Sequence, residues 1–228
     1  MMKTQSHFTL NDLIPEGMFV GTSLILRDGE RFLYGMRPAR LEAGRLVIEL
    51  TGIGGSLEET DASYTAGVLR EVEEEIGCAV GLIPCAQTLV VRSQDVIERV
   101  ALEGAERPAA VVFRYHRTPP HQPWTQAGQS ALTEADRAGC LLVFLGELQG
   151  APRPAMELPW LIWLSPEQVL ATARADVPLA DLLAEGAELV LGDAAAPDSD
   201  SWTRMTDSQE ALGLALGPEM PAYYRSLR

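Results

Sequence analysis

"GGSLEETDASYTAGVLREVEEEIGC", residues 54–78, opens on a glycine pair and closes on a cluster of glutamates. From Asp61 to Ile76 the pattern is helical, and Gly77 is placed to end the helix in a left-handed conformation. At about 100° per residue, Val68, Leu69, Val72 and Ile76 share one stripe, which reads as the buried face. Glu71 and Glu75 are four apart and stand side by side, with Glu74 on the adjoining flank. Glu73 points away from them. Like charges at this spacing weaken a helix by roughly a few tenths of a kcal/mol, and Arg70, four residues before Glu74, offsets part of that. Two readings follow: a solvated acidic face, or carboxylates gathered to hold a cation.

The residues around the cluster separate these readings. The stretch resembles the Nudix box, whose second half runs Arg-Glu-hydrophobic-x-Glu-Glu-x-Gly-hydrophobic. Arg70, Glu71, Val72, Glu74, Glu75, Gly77 and Cys78 match it. In the first half, one inserted residue brings Gly54-Gly55 into register and sets Asp61 in place of the family's early glutamate. Asp61 is a good N-cap type, so it is expected to open the helix. The flanks agree with the resemblance: Glu157, then Trp163, then Ser165-Pro166-Glu167 at the start of a second helix.

Outward from the box, "GMFVGTSLIL", "RDGE" and "RFLYGM" read as two strands and a tight turn with Asp28-Gly29 at its tip. "RLVIELTGI" is a third strand running into Gly54-Gly55. "LIPCAQTLVVR", "AAVVFRYHR" and "CLLVFLGEL" are further strands, rich in β-formers. "WLSPEQVLATARA" opens a helix with a Ser165/Gln168 capping box and Pro166 at its first position. Residues 117–139, Pro-rich then polar, are too long for a simple connection and read as a mobile insert that closes over a substrate. The expected fold is α/β: a Nudix-like α/β/α sandwich with a mixed sheet over residues 15–175. A tail at 1–14 precedes it, and a helical C-terminal extension at 176–228 follows.

The chain has 228 residues and a formal net charge of −14, which disfavours nucleic acid and anionic membrane as partners. Apolar runs such as "LPWLIWL" fall short of the roughly 20 residues of a membrane span, and "MMKTQSHFTL" lacks the apolar core of a secretion signal. The three cysteines, Cys78, Cys85 and Cys140, suit neither a disulfide framework nor a zinc site. A reducing cytoplasm is the expected compartment.

The resemblance implies a metal-dependent hydrolase that cleaves the pyrophosphate bond of a nucleoside diphosphate linked to another moiety. It implies Mg²⁺ or Mn²⁺ held by Glu71, Glu74, Glu75 and the backbone of Gly54, with Arg70 orienting a glutamate. Glu74, Glu75, Arg70 and Glu157 are the expected catalytic set, the expected partner is a small nucleotide-like substrate, and a homodimer is in keeping with the resemblance. The physics agrees, because an ion inverts the local sign for an anionic substrate and activates water for attack on phosphorus. The alternative is a Nudix module that binds a ligand and regulates without turnover.

Overall fold

The computed structural model describes residues 8–93, 96–115, 137–155 and 157–227. The expected turn is present, but Gly29 and Glu30 form it. Strand β1 (Phe19–Asp28) pairs antiparallel with β2 (Arg31–Met36), and Asp28 faces Arg31 across the bend. Strand β3 (Arg40–Glu42) turns back on β4 (Arg45–Thr51), the strand that leads to the glycine pair. The "LIPCAQTLVVR" stretch divides into β5 (Val80–Ile83) and β6 (Thr88–Ser93), with Pro84, which has no amide N–H for a ladder, in the gap. Strands β7 (Val96–Val100), β8 (Ala110–Tyr115) and β9 (Arg137–Leu148) complete that half of the sheet. Arg137–Gly139, expected in the insert, open β9. Residues 116–136, where the lid was expected, lie outside the described residues.

The sheet is mixed. β1 runs parallel to β9 over nine paired residues, from Phe19↔Gly139 to Arg27↔Glu147. β9 pairs antiparallel with β8, and β8 parallel with β6. Alternation along the strands sorts side chains to two faces. Leu24, Leu26, Val111, Phe113, Leu142 and Phe144 join one core, and Ile25, Ala110, Val112, Val143 and Leu145 the other. Both faces are covered, which is why these strands read as continuous apolar runs.

Two helices cover the first face. α1 (Leu10–Leu13) is a single turn within the expected tail, and both of its leucines are buried. α2 (Tyr64–Ile76) sets Val68, Val72 and Ile76 into the same core. Leu69, expected on that stripe, is 39% exposed, so the buried arc is narrower than the sequence reading made it.

The second face is covered by C-terminal elements. β10 (Trp160–Leu164) pairs with β2 and leads into α3 (Pro166–Arg174), whose Ser165/Gln168 capping box forms as read. Then follow β11 (Val177–Pro178), α4 (Leu179–Ala184), β12 (Glu188–Leu191), β13 (Trp202–Met205), α5 (Asp207–Leu216) and α6 (Met220–Ser226). The extension is helical as expected, and it also adds β13 parallel to β4 and β12 beside β10. Ala211, Leu212, Met220 and Tyr224 share one core with Ile25, Phe32 and Leu50. At the α3–α5 crossing, a Cβ on Gly213 would stand 2.3 Å from the Ala173 methyl, so only glycine permits this approach.

A shared core has a measurable consequence. Leu212→Ala should cost about 2–5 kcal/mol, the usual scale for a fully buried leucine. Chemical denaturation would check this; a loss below about 1 kcal/mol would mean that α5 packs loosely on the sheet.

Candidate active site

The site is built where the sheet splits. Only the C-terminal end of β1 pairs with β2; beside its first half, the chain leaving β4 takes the edge instead. Thr22 N–H donates to the Gly55 carbonyl at 2.7 Å, Leu24 N–H to Ile53 at 2.7 Å, and Leu57 N–H to Val20 at 3.2 Å. This irregular strand carries Gly54 and Gly55 across the end of α2. Gly54 has φ of 145°, and a Cβ there would stand 2.4 Å from the Thr22 carbonyl oxygen. A Cβ on Gly55 would meet the Glu71 carboxylate at 2.6 Å. The two glycines are therefore what let backbone and carboxylates touch.

Glu75 accepts the Gly54 N–H at 2.8 Å. Gly54 thus meets the acids through its amide. Arg70 gathers the remaining acids. Its Nε and Nη2 each reach an Asp61 carboxylate oxygen at 3.2 Å, Nη2 also reaches the Ser56 carbonyl at 3.1 Å, and Nη1 lies 2.9 Å from Glu71 and 3.3 Å from Glu74. Glu58 stands 3.7 Å away.

Asp61 does not open the helix, which corrects the N-cap expectation. Ser63 is the cap, accepting from Ala66 N–H at 3.1 Å, and Glu106 accepts the next free amide, Thr65 N–H, at 2.9 Å. Asp61 falls two residues earlier, with its side chain 6% exposed, and accepts the Glu58 N–H at 2.8 Å while it clamps Arg70. The hydrogen bond from Arg70 holds its pKa below the ordinary carboxylate value.

The far end of α2 brings in Glu157. Gly77, left-handed at φ 53°, donates to Glu73 O. Arg153 and Ala155 then donate to the Ile76 and Glu75 carbonyls at 2.8 and 2.9 Å, so the 149–158 loop caps the helix. Leu158, fully buried, anchors the loop over Gly35, where a Cβ would clash with its methyls. Between these fixed points Glu157 is exposed and close enough to Glu75 for the two charges to repel. The structure thus brings Arg70, Glu71, Glu74, Glu75, Gly54 and Glu157 together along the C-terminal half of α2. Glu73 is exposed.

Sequence reasoning missed Arg37. It follows β2, and its charge opposes that of Glu75. Nothing local marks it, because the sheet alone brings residue 37 to residue 75. The acids nonetheless outnumber the bases here: Glu58, Asp61, Glu71, Glu74, Glu75 and Glu157 against Arg70 and Arg37. Burial, with repulsion from Glu71 and Glu157 and against the opposing Gly54 amide and Arg37, pushes Glu75 up to about 7. Burial likewise raises Glu71, opposed by Arg70. Among the described residues no three acidic, histidine or cysteine side chains already meet as a metal cluster. The donor set is all hard carboxylate oxygen under mutual repulsion, and on that chemistry it fits Mg²⁺ or Mn²⁺.

Neither a family model nor a curated protein matches the chain. Solved structures resemble it at a distance. One is a possible asymmetric diadenosine tetraphosphate hydrolase from Jonesia denitrificans, at 15% identity, covering 92% of this chain and 95% of that one, with a TM-score of 0.45. Another is a NUDIX-family hydrolase from Clostridium perfringens, at 12% identity, covering 67% and 84%, with a TM-score of 0.39. A third is an ADP-ribose pyrophosphatase from Streptococcus suis, at 15%, covering 61% and 67%, with a TM-score of 0.33. Likeness at this level carries neither fold nor activity over to this chain. No helix among the described residues is long and apolar enough to cross a membrane.

The raised Glu75 fixes a pH dependence. A carboxyl with a higher pKa folded than unfolded binds protons more tightly in the native state, so stability falls as pH rises through the window from about 4.5 to about 7. Glu75→Gln keeps an acceptor for Gly54 and removes the charge. In metal-free buffer with EDTA it should raise Tm by a few degrees at pH 8 and hardly at all at pH 4. An equal shift at both pH values would show that Glu75 is not held under this strain.

Proposed function

We propose that this chain is a metal-dependent pyrophosphohydrolase of the Nudix type, cleaving a nucleoside diphosphate linked to another moiety. One observation carries the reading: Glu71 and Glu75 are pressed onto the Gly54–Gly55 backbone while Arg70 and Asp61 hold the helix and its loop together. A merely solvated acidic face would spread its carboxylates into water and leave the opposing loop free to vary. Here they are turned inward, partly buried and in excess of their counter-charges.

In this reading Glu71, Glu74 and Glu75, with the Gly54 carbonyl, would hold Mg²⁺ or Mn²⁺. Such an ion supplies Lewis-acid neutralisation of phosphate charge, which a chain of net charge −14 needs before it can receive a diphosphate. Arg70, locked by Asp61, fixes the direction of Glu71 and Glu74. Glu157, exposed and beside Glu75, takes the proton from the attacking water. Arg37 faces the phosphates from the sheet side and lends a positive charge that the helix lacks. The substrate is a small nucleotide-like molecule.

Nucleoside diphosphate derivatives screened with Mg²⁺ and Mn²⁺, with phosphate read after phosphatase coupling, would test this. Turnover should vanish after exhaustive EDTA treatment and return with either metal. Nucleotide binding with no turnover of any compound would favour the regulatory alternative instead. Glu75→Gln should lower kcat by about 10²–10³, the scale for loss of one charge-stabilising group. Glu73→Gln should leave kcat unchanged, and equal losses would mean that the wrong helix face has been chosen. Glu157→Gln should lower kcat by about 10² with an unaltered melting curve. A normal kcat in that variant would move the base elsewhere.

A further inference from the structure

The core under the C-terminal helices contains a polar chain that stability alone does not explain. Tyr34, on β2, donates to the Tyr224 hydroxyl at 3.0 Å, and Tyr224, on α6, donates to Gln209 Oε1 at 2.7 Å. All three residues are fully buried. A buried polar network of this kind confers little net stability over apolar packing, but it fixes geometry. With Oε1 engaged by Tyr224, the amide nitrogen of Gln209 turns the other way, toward Gly52. It lies 3.3 Å from where a Cβ on Gly52 would be, and the Ser23 hydroxyl lies 2.0 Å from the same point. That hydroxyl is buried with no hydrogen-bond partner among the described residues. Gly52 is thus pinned between β1 and α5, with no room for a side chain.

The start of α5 is itself tied to this place. Thr206 donates to the Leu50 carbonyl through its N–H at 3.0 Å and through its hydroxyl at 3.2 Å, and Met205 pairs with Leu50 where β13 lies along β4. Gly52 follows Leu50 by two residues, and Gly54, whose N–H donates to Glu75, follows Gly52 by two more.

We infer that Gln209 is a positioning residue for the candidate site, holding the Gly52–Gly55 strand at the height where Gly54 and Gly55 meet Glu75 and Glu71. Its relevance to catalysis rests on the hydrolase reading above; its effect on the loop does not. The C-terminal segment therefore acts on the site from the opposite face of the sheet to α2.

The test compares Gln209→Leu with Tyr34→Phe in the full chain. Both remove a polar group from the same network and should lower Tm, but Tyr34→Phe leaves Gln209 held by Tyr224. Hydrogen–deuterium exchange of the peptide spanning residues 52–57 should speed up in Gln209→Leu and stay at the wild-type rate in Tyr34→Phe. Mn²⁺ affinity, measured by calorimetry, should fall about tenfold in Gln209→Leu alone, the lower end of the usual effect of losing a residue that supports metal ligands. If Gln209→Leu does not fold, Tyr224→Phe frees the Gln209 carbonyl at constant shape and should show the same exchange. Unchanged exchange at 52–57, or an equal rise in Tyr34→Phe, overturns the inference. A wild-type chain that binds no Mn²⁺ and hydrolyses no diphosphate overturns the hydrolase reading, and exchange alone then decides the role of Gln209.

Discussion

The close approach of the Gly54–Gly55 backbone to α2 is the constraint on which the rest of the site depends. It requires two residues without side chains, one at a φ of 145° and one with a carboxylate 2.6 Å from its would-be Cβ. Once that approach is made, Glu75 finds an amide donor, Glu71 is trapped against the loop, and the acids crowd. Crowding is costly, and Arg70 offsets part of the cost by bonding Asp61 on the loop and lying against Glu71 and Glu74 on the helix. A single guanidinium thus ties two chain segments together through charge. Its fork of donors suits this in a way that a lysine ammonium would not.

The sheet makes that approach possible by failing to close. β1 pairs fully with β9 but only at one end with β2, which leaves an edge for the irregular strand at residues 53–57. An open edge of this kind is usually a liability. Here it is covered by the loop, and the loop is supported from both faces, by α2 on one side and by Gln209 with its tyrosine partners on the other. Side chains so placed sit on rigid elements with a packed second layer behind them, which is what precise geometry needs.

Much of this was legible in sequence. The glutamate-bearing helix, the left-handed Gly77, the Ser165/Gln168 cap and the strands flanking the box all follow from local periodicity and local hydrogen bonding, and all are present. Local rules also misled in places. Asp61 is a good capping type, yet Ser63 caps, and the Asp61 carboxylate is taken by Arg70 and the Glu58 N–H. Leu69 fits the apolar stripe, yet it is exposed, because the sheet covers only the arc through Val68, Val72 and Ile76.

What the sequence alone determined was the chemistry: which carboxylates share a helix face, and which glycines could approach them. Those depend on residue type and on spacings of a few positions, which the chain carries locally. Only the tertiary structure decided that Arg37 opposes Glu75, that Glu157 is held beside it by a loop capping α2, and that Gln209 reaches Gly52. These pairs are separated by 38, 82 and 157 positions in the chain. No periodicity spans such distances. They meet because two apolar faces of one sheet must both be buried, and burying them folds the C-terminal elements back onto the strands beside the site.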